Sequence, residues 1–496
     1  MKVWDYLLGR ELPAKVAPRK RSYQAANTGR LFSDFMASNK SADSELRNSL
    51  VIIRNRSRDL ARNDVYVKRY ISLLETNVVG EQGVNIQVKA RNSDSSLDTI
   101  GNQIIENSFF DWGRYGNCTA DGKMSWIDVQ KYIIAAVARD GEAIIEIVRS
   151  PVFKYGFAIN IIESDLIDEQ RNMTLDNGHQ IRMGIEVDQY QRPVAYWIKQ
   201  KHPGDYDMSG VNQNVVIRVP ADRIIHVYKP LRAGQTRGEP WLAPAMSQLK
   251  MLNAHREAEL VASRMAASKM GFFTSPAGDE FNADEYDGNV PIIDAEPGTF
   301  HQLPAGVDFK PFDPTHPSTA FHEFQKGILR GIASGLGVSY ASLSNDLEGT
   351  SYSSIRQGAL EERDAYKMQQ QFLIDHFIFP IYSEWLRHVM EFGKIPIPAT
   401  KYDKFFNDTI FRGRSWQWVD PQREIGAIGQ ALQLGIMAPQ DAMLQYGREA
   451  EEVYSQWQRD KELAQTFNLN LAFEPFGGAE AAKGVVPQTP GVQNVG

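Results

Sequence analysis

The sequence predicts an α+β chain in which one sheet-bearing region is followed by a succession of helices. Three observations carry this. Between residues 141 and 230, apolar β-branched runs are bounded by Gly, Pro, Asn and Asp. On either side, apolar residues recur at spacings of three and four. The 496 residues, 42% hydrophobic and 23% charged, have the composition of a folded protein with a substantial core.

Residues 1–30 stand apart. Lys2, Arg10, Lys15, Arg19, Lys20, Arg21 and Arg30 face only Asp5 and Glu11, and Pro13 and Pro18 interrupt any helix. This reads first as a basic, flexible, solvated arm; the sharper alternative has Lys15, Arg19, Lys20 and Arg21 touching nucleic acid or an acidic partner. From Ser41 to Leu74 the pattern is helical. Val84, Ile86 and Val88 then alternate with polar residues as in a half-buried strand. Helices follow over 98–112 and 125–139. Sheet is expected from GEAIIEIVRS, FAINIIES, IRMGIEVD, PVAYWIKQ and VVIRVPADRIIHVYKP, so the region to about residue 239 reads as one α+β unit.

The character changes at 240–270, a long helix rich in alanine (Ala254, Ala258, Ala262, Ala266, Ala267), suited to close packing against copies of itself. Short strands and turns occupy 272–313, and a second helix runs from Ser318 to Leu336. LSNDLEGTSY, 343–352, reads as an exposed polar loop. The longest helix follows, about 352–392, with Leu373, Phe377, Ile381, Trp385 and Val389 on one stripe. Pro380 inside it removes a backbone hydrogen bond and predicts a kink. Two further helices follow Pro421 and Pro439, and the tail 476–496 has a disordered composition.

A search for chemistry finds little. GNCTADGKM at 116–124 approaches a phosphate loop, but its glycines are one residue too far apart and Met124 stands where Ser or Thr is needed. His322-Glu323 begins a zinc-helix pattern that Lys326 breaks, and no two of the nine histidines are four apart. Glu361, Glu362 and Asp364 read as a solvated helix face rather than a metal site. The lone Cys118 excludes disulfides within the chain and has no nucleophile motif around it. No leader and no run near ~18 apolar residues is present, which leads to the expectation of a reducing, soluble compartment. No enzyme, metal or cofactor is expected.

Taken together, RSRDLARND (56–64), VPADRIIHV (219–227), GQTRGEPWLAP (234–244), AELVASRMAAS (258–268), FDPTHPSTAF (312–321), GLGVSY (335–340), YSSIRQG (352–358) and WQWVDP (416–421) resemble the lambda-type portal proteins of tailed bacteriophages. The resemblance spans about residues 45 to 450 in order. One position departs: the family usually carries Asn before the Tyr-Ser-Ser, and here it is Ser351.

The resemblance implies the portal fold and a ring of about twelve subunits at one capsid vertex. Such a ring nucleates head assembly with the major capsid and scaffolding proteins and docks the terminase large subunit. It passes double-stranded DNA in and out, and later binds a head-completion or tail adaptor protein. It implies a virion protein assembled in the host cytoplasm, without a membrane. Mapped onto the chain, residues 31–239 resemble the wing, 240–271 and 317–342 the stem helices, and 272–316 the clip. Residues 343–352 resemble the tunnel loop, 353–420 the kinked wing helix and its return, and 421–475 the crown. Ser344, Asn345, Asp346, Leu347, Glu348, Gly349, Thr350 and Ser351 would line the channel.

The net charge of −7 suits a conduit. Non-specific phosphate contacts give Kd of ~10⁻⁴–10⁻⁶ M, about 5.5–8 kcal/mol, to be overcome at every step of translocation. A mostly acidic or neutral bore is therefore expected. Two other classes compete with this reading: a packaging-associated nucleotide hydrolase or nuclease, and a monomeric DNA-binding regulator.

Overall fold

The computed structural model describes residues 39–205, 215–267, 271–274, 308–311, 320–349, 351–416, 421–444, 448, 450–467 and 469. The basic arm of residues 1–30 and the tail 476–496 lie outside them, as does most of the expected clip.

Capping residues decide where the first helices begin and end. Ser41 accepts from the Ser44 N–H at the head of α1 (Ala42–Leu46). After a turn, α2 (Leu50–Asn63) stops at Asp64, whose carboxylate accepts from the N–H groups of Tyr66 and Val67 at 2.8 and 2.9 Å and so starts α3 (Val65–Leu74). The single helical stretch expected over 41–74 is thus three helices, divided by the turn at 47–49 and by the Asp64 cap. A π turn, Glu75–Val79, ends at Gly80 and leads to β1 (Asn85–Val88). The next two helices fall where the sequence puts them. Asp98 caps α4 (Thr99–Trp112), and Ser125 with Asp128 forms a reciprocal capping box on α5 (Trp126–Asp140).

The sheet region comprises β2 (Glu142–Arg149), β3 (Phe157–Ile162), β4 (Met173–Thr174), β5 (Gln180–Arg182), β6 (Ile185–Val187), β7 (Pro193–Lys199), β8 (Val216–Pro220) and β9 (Ile224–Tyr228). They form two antiparallel sheets, one ordered β3-β2-β9 and one β4-β5-β6-β7-β8. Two runs that read as single strands are each divided. IRMGIEVD is a hairpin turning at Met183 and Gly184, both at positive φ. VVIRVPADRIIHVYKP sends its halves to different sheets through the 3₁₀ turn Ala221–Arg223. Ile144, Ile162, Ile185, Tyr196 and Ile224 pack between the sheets.

Helix α6 (Met246–Ala267) starts six residues later than expected, after a 3₁₀ turn at Ala243–Ala245 that contains Pro244. It leads to an antiparallel ribbon of β10 (Gly271–Thr274) and β11 (Asp308–Pro311), paired Gly271 to Pro311. Helix α7 (Ala320–Leu336) returns beside α6. Then come the short α8 (Tyr340–Ser344) and α9 (Tyr352–Leu373), followed by a π turn (Ile374–Ile378) and α10 (Phe379–Glu391). α11 (Tyr402–Asn407) and β12 (Thr409–Arg412) close back on the start of the chain, since β12 pairs with β1. Three helices follow: α12 (Pro421–Gln433), α13 (Pro439–Leu444) and α14 (Ala450–Thr466). The mixed helix and sheet architecture is the α+β class expected.

One core joins the early helices to α9 and α10. Leu373, Phe377, Ile381, Trp385 and Val389 are all fully buried. Trp385 stands 5.0 Å from Phe109 and 6.3 Å from Trp112, ring centre to ring centre, and the Trp112 indole N–H donates to the Phe157 carbonyl at 3.0 Å. Buried Gln370 on α9 donates to the Val78 and Arg414 carbonyls, both at 3.1 Å, tying the first π turn to the return segment.

Pro380, where a kink is expected, lies two residues beyond the second π turn, through which the helical backbone runs on from α9 into α10. It is the second residue of α10, just after that π turn, whose widened hydrogen-bond ladder accommodates a residue without an N–H. Pro380→Ala should therefore change stability by less than ~1 kcal/mol, against the ~3 kcal/mol typical of a proline inside a continuous helix. Thermal unfolding of the variant checks this.

Candidate functional site

The hairpin of α6 and α7 grows from a buried ionic hub. Glu142 opens β2 with no exposed side-chain surface and is surrounded by donors. Arg237 Nε donates to it at 2.9 Å, Arg54 Nη2 at 3.3 Å and the Gly238 N–H at 3.1 Å, and His226 Nε2 lies 3.0 Å away. Arg237 also donates to the Met183 and Ser164 carbonyls at 3.0 and 3.1 Å. Arg54, equally buried, donates to Asp165 and Glu169, each at 2.7 Å. Arg58 extends the network to Asp140 at 2.7 Å and to Asp165. These bonds connect α2, β2, the turn after β3 and the segment 231–239 that feeds α6.

Burial opposes charge on Glu142, yet Arg237 and His226 hold its carboxyl well below the usual carboxylate range. Asp165 is likewise depressed: burial raises it, but Arg54 and Arg58 prevail. Hydrogen bonding from Arg218 pulls Glu186 down to about 2. Groups depressed on folding stabilise fully above their unfolded values near 4, and that stability is lost as pH falls through the lower folded values. The melting temperature should hold from pH 7 to about 5 and drop steeply below about 4, as a pH series of thermal scans would show.

Two glycines permit this junction. Gly141 takes φ +92° after α5, and Gly238 approaches it so closely that an added Cβ would stand 2.1 Å from the Gly141 carbonyl oxygen. Gly238→Ala must push two backbones apart. It should cost at least the ~1–3 kcal/mol of core overpacking, measured as a fall in the urea midpoint.

Above the hub, α6 and α7 pair. Asn253 Nδ2 donates to Asp64 at 2.6 Å, Gln325 Nε2 to the Tyr66 hydroxyl at 3.1 Å, and His255 meets the Phe321 ring tilted at 5.5 Å and the Phe324 ring edge-on at 5.1 Å. Beyond Leu252 no α6 residue through Arg264 is buried in the single chain, and Met251, Leu260, Val261 and Phe324 are more exposed than not or nearly so.

The polar loop begins at Asn345, two residues later than expected, because Ser344 closes α8 and its hydroxyl donates to the Tyr340 carbonyl at 2.7 Å. Asn345 is the left-handed cap, at φ +57°. Asp346 accepts from the Tyr340 hydroxyl at 2.8 Å and the Glu348 N–H at 2.9 Å, and Lys326 of α7 is 3.6 Å away. These contacts depress Asp346, the Glu348 N–H foremost. Leu347, Glu348 and Gly349 are exposed; Thr350 lies outside the described residues; Ser351 caps α9. Glu362 is no bystander on a solvated face. It accepts from Ser342 at 2.7 Å and from Tyr366 at 3.0 Å, holding α8 to α9.

Elsewhere the structure gives the remaining motifs structural work. The 116–124 turn lies along β3, exchanging backbone bonds at Ile159 with Cys118 and Ala120, and burial pushes the Cys118 thiol up to about 12. Glu163, Asp165 and His202 come together, but Arg58 already bridges the two carboxylates where a cation would sit. No described helix is long and apolar enough to cross a membrane.

The hub was not foreseen, since Glu142 sits inside a run that reads as a plain buried strand. Its signal was a carboxylate at the first position of an apolar strand, just after Gly141, and, far away, the GQTRGEP segment.

The family model described as phage portal protein, lambda family, matches residues 28–370. The chain is 34% identical over 487 residues to the probable portal protein of Halomonas phage phiHAP-1, covering 96% of this chain and 93% of that one. This chain belongs to the lambda family of phage portal proteins. As a portal-family chain it is a structural component of the virion. It is also 21% identical over 311 residues to portal protein B of Escherichia phage lambda, covering 56% of this chain and 58% of that one. Among solved structures it is similar to a chain from the neck of a native gene transfer agent particle computed with C12 symmetry, at 12% identity and TM-score 0.40, covering 84% of this chain and 98% of that one. The motif residues of this portal chain that the hub uses, Arg58, His226, Arg237 and Gly238, do their work inside the fold.

Proposed function

We propose that this chain forms a ring of about twelve copies at one capsid vertex, with α6 and α7 lining a channel for double-stranded DNA. The observation that carries this is the stem hairpin, a long helix with apolar side chains exposed around it in the single chain, which needs neighbours to cover them. The loop 345–351 projects into the channel from α7's neighbour α8. The β10–β11 end serves as the docking face for the terminase large subunit and later for a head-completion or tail adaptor protein. The ring assembles in the host cytoplasm with major capsid and scaffolding proteins, and Lys15, Arg19, Lys20 and Arg21 touch DNA or an acidic partner. No catalytic step is assigned to the chain.

Electron microscopy of the purified full-length chain with native mass measurement tests this. Rings of about twelve copies with an open channel are expected. A discrete compact dimer, above all one that hydrolyses nucleotide, overturns the reading and restores the enzyme alternative.

A further inference from the structure

Where the segment feeding α6 crosses the C-terminal end of α7, it leaves a cleft of about 300 Å³, the size of a small-ligand site. Trp241 and Leu336 give it apolar walls, and Lys229, Ser334, Glu239 and Gln369 give it polar ones. These polar groups are short of donors. Glu239 is half-buried and forms no ion pair among the described residues, so burial alone acts on its carboxyl and pushes it up. Gln369 Oε1, shielded from solvent, accepts no hydrogen bond among the described residues. At the end of α7 the Gly337 N–H turns back to the Ser334 carbonyl at 3.2 Å and the Val338 N–H to the Ala333 carbonyl at 3.1 Å. The Gly335 and Leu336 carbonyls are left without backbone donors among the described residues, and such a helix end attracts cations. Lys229 does not fill the need, since it is exposed and its stem lets the ammonium stay in water. Trp241 adds an indole, the ring that attracts cations most strongly.

We propose that this cleft binds an organic cation of the guanidinium class, stacked on Trp241, with N–H groups donating to Glu239 and, on a turn of its amide, to Gln369. One carboxylate beside an indole suits a planar, weakly hydrated cation, whereas a metal ion asks for about six oxygens. The cation is a small molecule in solution or the arginine side chain of a second copy, since both present the same group. Neither source requires DNA in the channel, so the site stands apart from the conduit reading.

Calorimetric titration of the full chain with methylguanidinium at pH 7 tests this. One saturable site per chain is expected. Binding should be at least ~10-fold weaker in Glu239→Gln, and as much weaker for tetramethylammonium, which carries the charge but has no N–H to donate. Equal binding of the two cations, or of methylguanidinium to both chains, overturns the proposal, and the first comparison needs no variant to fold. Native mass separates the two sources. A mass unchanged at saturation assigns the site to a small cation, and a mass that falls over the same range assigns it to a second copy's arginine, displaced by the probe. If no heat saturates below ~50 mM, a lower mass for Glu239→Gln at an unchanged melting temperature still assigns the site to a second copy, and an unchanged mass overturns the proposal.

Discussion

Arg237→Met should destabilise the chain by about 3–5 kcal/mol, the usual cost of removing one partner from a buried ion pair. The methionine fills similar volume, so the loss is electrostatic. Glu142 would keep Arg54 and His226 but lose its two-bond partner, and the Met183 and Ser164 carbonyls would lose their donor. Each buried acceptor left unpaired adds its own desolvation cost, ~1–3 kcal/mol. Urea unfolding at pH 7 reads the difference. The double variant Arg237→Met with Glu142→Leu should recover part of the loss, because apolar pairs often replace buried ion pairs at little cost. A single-variant loss under ~1 kcal/mol would show that the hub is not what holds the stem root.

The second large effect is functional and concerns the loop. Replacing Asp346–Thr350 by five Gly and Ser residues should leave ring assembly intact. DNA packaging or retention should fall by an order of magnitude or more, in keeping with function concentrated on positioned loops. The structure explains why assembly should survive. Leu343 remains buried, Glu362 still holds Ser342 and Tyr366, and Ser351 still caps α9. What is lost is the Asp346 tie to Tyr340 and Lys326, together with the exposed Leu347 and Glu348. In vitro packaging with imaging of the rings checks both halves. Failure of the rings to form would assign the loop to assembly instead of the channel.

Much of the architecture was legible because it is local. Asp98 and Ser125 announce α4 and α5 by capping, and the stripe from Leu373 to Val389 announces a buried helix through its spacing. Boundaries slipped where one local signal overrode another. Asp64 caps in the middle of an apolar pattern, Pro244 delays α6, and the 3₁₀ turn Ala221–Arg223 divides one β-branched run between two sheets. The loop was read within two residues because Asn345 and Gly349 tolerate positive φ.

By itself the sequence determined the α+β class, the order of helices and strands, and, through motifs scattered from 56 to 421, membership of the portal family. Those properties depend on spacing, propensity and residue identity, which a linear string carries. Only the tertiary structure decided that Arg54, Arg58, Glu142, Asp165, His226 and Arg237 form one buried network. It alone decided, too, that β12 returns to pair with β1. Charges separated by 88 and 95 residues along the chain leave no periodic trace in it. Their pairing is fixed by which surfaces lose water together, and burial is a property of the folded chain.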